Sequence, residues 1–221
     1  MINIEMFLDS AKVKIREKLN PYLAKYRRRK LNNKNFTIIS NNCWGGHVYR
    51  YFNLPYDSPT IGLYLFSADY IKFIGNLKYY IEKEITFINY KDSKYKDELV
   101  KYNQVNIPIG KLDDIEIIFL HYQSEDEART KWNRRKARIH WDNLYYKMSE
   151  QNLCSSDLLM QFDLIDLANK FVFVTKDYGL KSQVIFKDCS NMDFIPNDTT
   201  NFRKFINIIN WLNGEPFKLK Q

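Results

Sequence analysis

Glycine and proline are scarce in this chain, 7 and 6 among 221 residues, and they are thinly spread. No stretch rich in either marks a flexible linker, no low-complexity tract breaks the pattern, and no internal repeat is found. Cysteine is scarcer. Cys43, Cys154 and Cys189 form an odd, widely spaced set, which argues against a disulfide framework and leads us to expect reduced thiols. No apolar run approaches the roughly 20 residues that a bilayer-spanning helix needs. The opening Met1-Ile2-Asn3-Ile4-Glu5 has no basic region before an apolar stretch and no small-residue cleavage site, so we expect no signal peptide and a cytoplasmic location. No His and Cys residues stand at zinc-ligand spacing, and no phosphate-cradling glycine motif occurs, so no metal centre is expected.

What is present is apolar and aromatic surface, 45% and 16% of residues, enough for one domain with a sizeable core. The net charge of +8 is local: residues 1–35 hold ten basic side chains against three acidic ones, leaving the rest near neutrality. A nucleic-acid-binding domain usually spreads its basic surface over the folded body, so no nucleic-acid partner is expected. Within the basic stretch, Ile4, Phe7, Leu8, Ala11, Ile15, Leu19, Tyr22 and Tyr26 recur at helical spacing, and Asn20-Pro21 reads as an N-cap followed by the first helical position. We expect two consecutive helices, an appendage over residues 1–34, closed by Arg27-Arg28-Arg29-Lys30 where cations suit the helix dipole. Two readings stay open. It is a solvated helix end docked on the body, or a basic amphipathic element over residues 1–30 resting peripherally on an anionic membrane surface.

Residues 35–221 read as a single α/β domain. Phe36–Ser40, Thr60–Phe66, Asp114–Tyr122, Asn143–Met148, Phe171–Thr175 and Val184–Phe186 are strand candidates. Between them run helical patterns over Gly45–Asn53, Ser67–Ile81, Ser124–Ile139 and Thr199–Asn213, the third opened by the capping box Ser124-Glu125-Asp126-Glu127. This alternation predicts a three-layer α/β fold: an open, mainly parallel or mixed sheet with helices on both faces.

In such sheets, binding residues gather at the carboxyl ends of the strands. Cys43 lies three residues past the first strand candidate, immediately before a helix, where unpaired N–H groups and the helix dipole lower a thiol's pKa. Gly45 and Gly46 permit close backbone approach, and the amides of Asn41 and Asn42 are candidate oxyanion donors. The plainer reading of the turn is structural, with a small buried thiol and Trp44 in the core. A nucleophilic Cys needs a base. His121 is the best partner if its strand runs parallel to the first; His47, one helical turn from Cys43, is the other; and Asp142 is a candidate to orient an imidazole. His140 fits a cation at a helix C-terminus. On the charged helix, Arg134 with Arg138, or Lys131 with Arg135, share a face suited to a phosphate or carboxylate, against the ordinary reading of a solvated basic face.

The stretches Ser40-Asn41-Asn42-Cys43-Trp44-Gly45-Gly46, Leu54-Pro55-Tyr56-Asp57-Ser58-Pro59-Thr60, Ala68-Asp69-Tyr70-Ile71-Lys72, Phe119-Leu120-His121-Tyr122 with Ser124, Glu125, Trp132, Arg135 and Arg138, and Asp142-Asn143-Leu144 together resemble the bacterial domain of unknown function 1919. Members of that family are often labelled exopolysaccharide or capsule biosynthesis proteins. The resemblance covers about residues 35–190, leaving the basic helices outside. It implies an α/β fold and a setting in cell-surface glycan synthesis. It also carries over Cys43, Trp44, Gly45, Gly46, His121 and Arg138 as site candidates, but it brings no established reaction. His140 stands where members often have Asn, which lowers it as a base.

The expectation is a cytoplasmic transferase of exopolysaccharide, capsule or lipopolysaccharide assembly. In it, Cys43 attacks or carries an acyl group from a donor such as acyl-CoA, His121 is the base, and Arg134 or Arg138 holds an anionic, nucleotide- or lipid-linked sugar. One alternative is a non-catalytic glycan-binding or assembly protein with Trp44, Tyr49 and Trp132 as stacking surfaces. Another is a papain-like cysteine hydrolase.

Overall fold

The computed structural model describes residues 20–219. Within them, four strands buried along nearly their whole length form one parallel sheet: β1 (Thr37–Ser40), β5 (Leu144–Ser149), β6 (Lys170–Val174) and β7 (Gln183–Ile185), in the order β1-β5-β6-β7. Successive strand residues point to opposite faces, and here each face has its own core. Ile39, Tyr146, Met148, Val172 and Val174 meet Phe73 and Ile74 of α3 (Ser67–Gly75), Leu77 and Ile81 of α4 (Leu77–Glu82), and Leu159 and Phe162 of α7 (Ser156–Leu164). Ile38, Tyr145, Phe171, Phe173 and Val184 meet Trp44, Val48 and Phe52 of α2 (Trp44–Phe52) and Trp211 and Leu212 of α8 (Ile208–Leu212). The three-layer expectation therefore holds for this sheet. Burial on both faces explains why its strands read as near-continuous apolar runs.

A second, antiparallel sheet joins β2 (Thr86–Ile88), β3 (Ile109–Leu112) and β4 (Ile115–Ile118) in sequence order. Its tightest point is Gly110, where a Cβ would stand 2.5 Å from Ile85 and 2.7 Å from Phe119. The expected Asp114–Tyr122 strand is the shorter β4, and it lies in this sheet, not parallel to β1. The expected Thr60–Phe66 strand is not regular: Thr60 to Gly62 form turns, with Gly62 at φ +77, and only Tyr64 bridges, to Ile118. That irregular segment nonetheless ties the two sheets together. Tyr64 exchanges backbone bonds with Ile118 at 2.8 Å each, and the Leu65 amide donates to the Asn41 carbonyl at 2.9 Å.

Two expected helices divide. The run Ser67–Ile81 breaks at Asn76 into α3 and α4, and the run Thr199–Asn213 becomes a 3-10 turn (Phe202–Lys204) followed by α8. The charged helix, α6 (Glu125–Lys136), begins with the expected cap, Ser124 Oγ accepting from the Glu127 amide at 3.2 Å, while the Glu127 carboxylate reaches one residue beyond the capping-box position to accept from the Gln123 amide at 2.8 Å. The remaining helix is α5 (Lys96–Lys101). At the chain's start, residues 20–28 are helical (α1); the expected first basic helix lies outside the described residues. α1 is docked on the body. Ala24 is buried, Arg27 donates to the Tyr51 carbonyl at 2.9 Å, and Arg28 donates to the Phe52 carbonyl at 2.6 Å. These arginines thus satisfy carbonyls at the end of α2 that no helical amide can reach, the negative pole of its dipole.

Candidate functional site

The turn after β1 is built to hold Cys43 in place rather than to expose its neighbours. Asn41 is fully buried and doubles the β1–β5 ladder: its amide donates to the Ser149 carbonyl at 3.2 Å and accepts from the Ser149 amide at 3.1 Å. Asn42 is equally committed. Its Nδ2 donates to Asp198 at 2.9 Å and to Gln151 at 3.1 Å, while its Oδ1 accepts from the Trp44 amide and from Lys147 Nζ, each at 3.1 Å. Asn41 is buried against β5 and both hydrogens of the Asn42 Nδ2 are committed, so the structure turns neither carboxamide to the oxyanion role expected from sequence. Trp44 is also removed from ligand contact. It is 0% exposed and stands edge-on to Phe171, Phe202 and Trp211. Tyr49 and Trp132, the other expected stacking surfaces, are core residues too. Gly45 packs on Ser40, Ile38 and Ile61.

Behind the turn lies an ion pair that the sequence reading missed. Lys147, at a β5 position facing the Trp44 core, is fully buried, and its Nζ meets Asp198 from a distant loop. Asp198 also accepts from Asn42 and, at 2.5 Å, from Ser149 Oγ. The ammonium stands 5.5 Å from the Trp44 ring and 5.7 Å from the Phe173 ring. Burial drives the Lys147 pKa down, partly offset by Asp198. Burial alone would raise Asp198, but the Lys147 ammonium and the hydrogen bonds from Asn42 and Ser149 hold it below the usual carboxylate value.

Cys43 sits between this pair and a cavity of about 340 Å³ lined by Cys43, Gly46, His47, Arg50, Tyr56, Ile61, Gly62, His121, Tyr122, Lys131 and Arg135. The expected association of Cys43 with both His47 and His121 is therefore present as a shared lining, though it is not reached through parallel strands. Instead, the irregular 61–64 segment gathers them: the Cys43 thiol donates to the Leu63 carbonyl at 3.6 Å, and the His121 amide donates to the Gly62 carbonyl at 3.1 Å. Helical periodicity brings Gly46 and His47 round to the same cavity from α2. The thiol is not activated as its helix-terminal position suggested. Burial, reinforced by the Asp198 carboxylate and opposed by Lys147, pushes the Cys43 pKa up to about 11. The desolvation of a thiolate outweighs the helix dipole here. His47 moves the other way, lowered by burial and then by Arg50, and so rests as neutral imidazole.

Of the cavity's cations, Arg50 comes from α2, and Lys131 and Arg135 come from α6. Arg135 is only 7% exposed; its Nη1 donates to the Ile61 carbonyl at 2.7 Å and to the Tyr122 hydroxyl, which itself donates to Ile61 at 2.5 Å. Its Nε is buried with no partner among the described residues. Lys131 is paired with Glu127 and lies over the Tyr122 ring. Arg134 is exposed and off the cavity, and Arg138 points to Asp57 at 4.0 Å. Of the two pairs expected from sequence, Lys131 with Arg135 is the one on the cavity; a signal favouring it was available, since Ala128, Trp132 and Ile139 are buried at helical spacing and position 135 falls inside that stripe. Asp142 is not brought to the thiol. It precedes β5, whose Leu144 pairs with Thr37 at the amino end of β1, whereas Cys43 follows the carboxyl end. His140 is at that amino end as well, 3.4 Å from Asp57. Among the described residues, no group of three or more His, Cys, Asp or Glu is arranged to hold a metal ion, and no helix is long and apolar enough to cross a membrane.

A family model described as a domain of unknown function (DUF1919) matches residues 14–213. It extends past the 35–190 stretch on both sides and takes in α1, in keeping with the docking of that helix. A curated protein of Haemophilus influenzae, called an uncharacterized protein, is 34% identical over 150 residues, 68% of this chain and 66% of its own length. The match thus spans just under two-thirds of that relative.

Proposed function

The chain belongs to the family described as domain of unknown function 1919, and on that premise we propose that it is a cytoplasmic enzyme of cell-surface polysaccharide assembly that transfers an acyl group through Cys43 to a sugar. The observation that supports this reading is the lining of one cavity by a thiol and two imidazoles, Cys43, His47 and His121. Because the thiol rests protonated, the imidazole must act during attack rather than before it. The proton of Sγ passes to the imidazole as the S–C bond to the acyl carbonyl forms. The donor's leaving group, the thiol of an acyl-CoA, departs with a proton returned by the imidazolium. A sugar hydroxyl then attacks the thioester, giving up its proton to the imidazole, and Cys43 is released as the thiol. His121 is the first candidate for that base, and His47, already neutral, the second. The test is the glycan of cells carrying Cys43→Ser, His121→Ala or His47→Ala. Loss of the acyl substituent with Cys43→Ser and with one of the His variants is expected; an unchanged polymer in all three sinks the proposal.

A second reading, a glycan-binding or assembly protein without chemistry, draws on one observation: the thiol is raised, not activated, and hydrogen-bonded to Leu63. Its binding surface would be the cavity and Tyr56, since Trp44, Tyr49 and Trp132 are buried. Under this reading Cys43→Ser keeps both ligand binding and a normal polymer.

Peripheral membrane contact remains a proposal for α1. With Arg27 and Arg28 turned inward, Tyr22, Leu23 and Tyr26 are exposed beside Lys25, Arg29 and Lys30, the composition of an interfacial helix. Salt-sensitive binding to phosphatidylserine vesicles, lost in Tyr22→Ala/Tyr26→Ala/Lys25→Gln, is expected. Binding unaffected by those changes would refute it.

A further inference from the structure

We propose that the cationic part of the cavity lining, Arg135, Lys131 and Arg50, is a subsite for a phosphate group carried by the sugar. This rests on the reading above for the sugar but not for the thiol chemistry.

Three observations carry it. First, every formal charge on the lining is positive: Arg50, Lys131 and Arg135 are cations, and none of the lining side chains is a carboxylate. A neutral sugar site has no use for such a bias, whereas a doubly charged oxyanion is attracted by it. Second, Arg135 is a buried guanidinium without a carboxylate. It is 7% exposed, no carboxylate pairs with it among the described residues, and its bonds go to a neutral carbonyl and a neutral hydroxyl, leaving Nε unpartnered. A buried charge is ordinarily paired, and the fork of an Arg is shaped for the paired oxygens of phosphate. Third, the neighbouring groups fix the guanidinium before any ligand arrives. Ile61 and Tyr122 hold Nη1, and the Tyr56 and Tyr122 rings lie 5.5 and 5.9 Å from its centre, so little side-chain entropy is lost on binding. Lys131 is restrained by Glu127, and Arg50 stands exposed at the rim, where it meets an incoming anion first.

Size narrows the ligand further. Drug- and cofactor-sized pockets run from roughly 300 to 1,000 Å³, and at about 340 Å³ this one takes a single phosphorylated sugar, with any nucleotide or lipid attached to it left outside. A sugar phosphate seated there by its phosphate would put its ring between the α6 cations and the thiol, the place an acceptor hydroxyl must occupy.

The experiment is calorimetric titration of the full chain with glucose, glucose 1-phosphate, UDP-glucose and inorganic phosphate at fixed ionic strength. Glucose 1-phosphate is expected to bind at least tenfold more tightly than glucose. Arg50→Gln and Lys131→Gln, neither of which is fully buried, should each weaken it by about 3- to 10-fold, and Arg135→Lys by roughly 10- to 100-fold. Cys43→Ser should leave it unchanged, which separates this subsite from the fate of the transfer chemistry. If UDP-glucose is the tighter ligand, the phosphate arrives within a nucleotide diphosphate; if glucose 1-phosphate is, it arrives as a monoester; either result supports the subsite. Because Arg135 also braces Ile61, its variant is read only alongside the two rim variants. Equal affinity for glucose and glucose 1-phosphate, or full affinity in both Arg50→Gln and Lys131→Gln, overturns the proposal.

Discussion

Alkylation of Cys43 by iodoacetamide discriminates between two physical accounts of the turn after β1. If the helix terminus dominated, Cys43 would be a thiolate at neutral pH and react faster than a free thiol. Burial beside Asp198 instead places its pKa at about 11, against an ordinary 9.0. That rise makes the thiolate fraction at pH 7 about 100-fold smaller, and only the thiolate reacts. The rate is read by mass spectrometry on the peptide holding Cys43, because Cys154 and Cys189 are also free. Limited access slows the reaction further without changing its pH dependence, so the profile is the decisive measurement. Between pH 7 and 9.5 the rate should climb about tenfold per unit with no plateau. A plateau below pH 9, or a rate at pH 7 equal to that of a free thiol, would falsify the argument that desolvation outweighs the dipole.

Lys147→Met leaves Asp198 buried without its cation and should cost about 3–5 kcal/mol, read from urea unfolding; Lys147→Met/Asp198→Asn should recover much of that loss, and a double variant as unstable as the single one would show that the pair does not act as a unit. The depressed Asp198 carboxyl gives stability that is fully present above its unfolded value of 3.8 and disappears as pH falls through its lower folded pKa. Urea midpoints between pH 5 and 2 should therefore fall less steeply in Asp198→Asn than in the parent, and parallel curves would remove Asp198 from the acid response. Gly62 combines φ +77 with Tyr122 only 3.1 Å from where a Cβ would lie, so Gly62→Ala should lose about 1–2 kcal/mol for the backbone alone and loosen the cavity; an unchanged melting temperature would contradict this.

How much of this was legible depends on whether the physics is local. β1, β5, β6 and β7 lie on both faces against cores, so their apolar runs announced them within a residue or two, and the Ser124–Glu127 cap fixed the start of α6 because its bonds span three residues. The short strands β2 and β3 and the helices α5 and α7 were not foreseen: β2 and β3 make a sheet by pairing with one another and with β4, a partnership that no window of sequence contains. The 60–66 segment had the composition of a strand, but the turns at Thr60 to Gly62 left only Tyr64 to pair.

The site divides along the same line. Cys43 and His121 were found from a rule about strand ends, and His47 from helical spacing; the rule's premise, parallel strands, fails for β4, and the three line one cavity because the irregular segment 61–64 binds both Cys43 and His121. Lys147 carried a signal: it is the single charge within a strand otherwise apolar or hydroxylic, and a charge there must find a partner or a function. Asp198 carried none, since nothing in a polar loop marks the residue whose contact is made 51 positions away. Arg135 lies between these cases. Weighing Arg134 with Arg138 alongside Lys131 with Arg135, and then preferring the former, treated α6 as a free helix, on which either face serves. Once Trp132 is assigned to the core, the phase of the helix is fixed, Arg138 is carried outward to Asp57, and Arg135 is the arginine that must be buried. A buried arginine with no carboxylate beside it, aimed at a cavity that contains a thiol, is then a stronger pointer to an anionic ligand than any number of exposed ones.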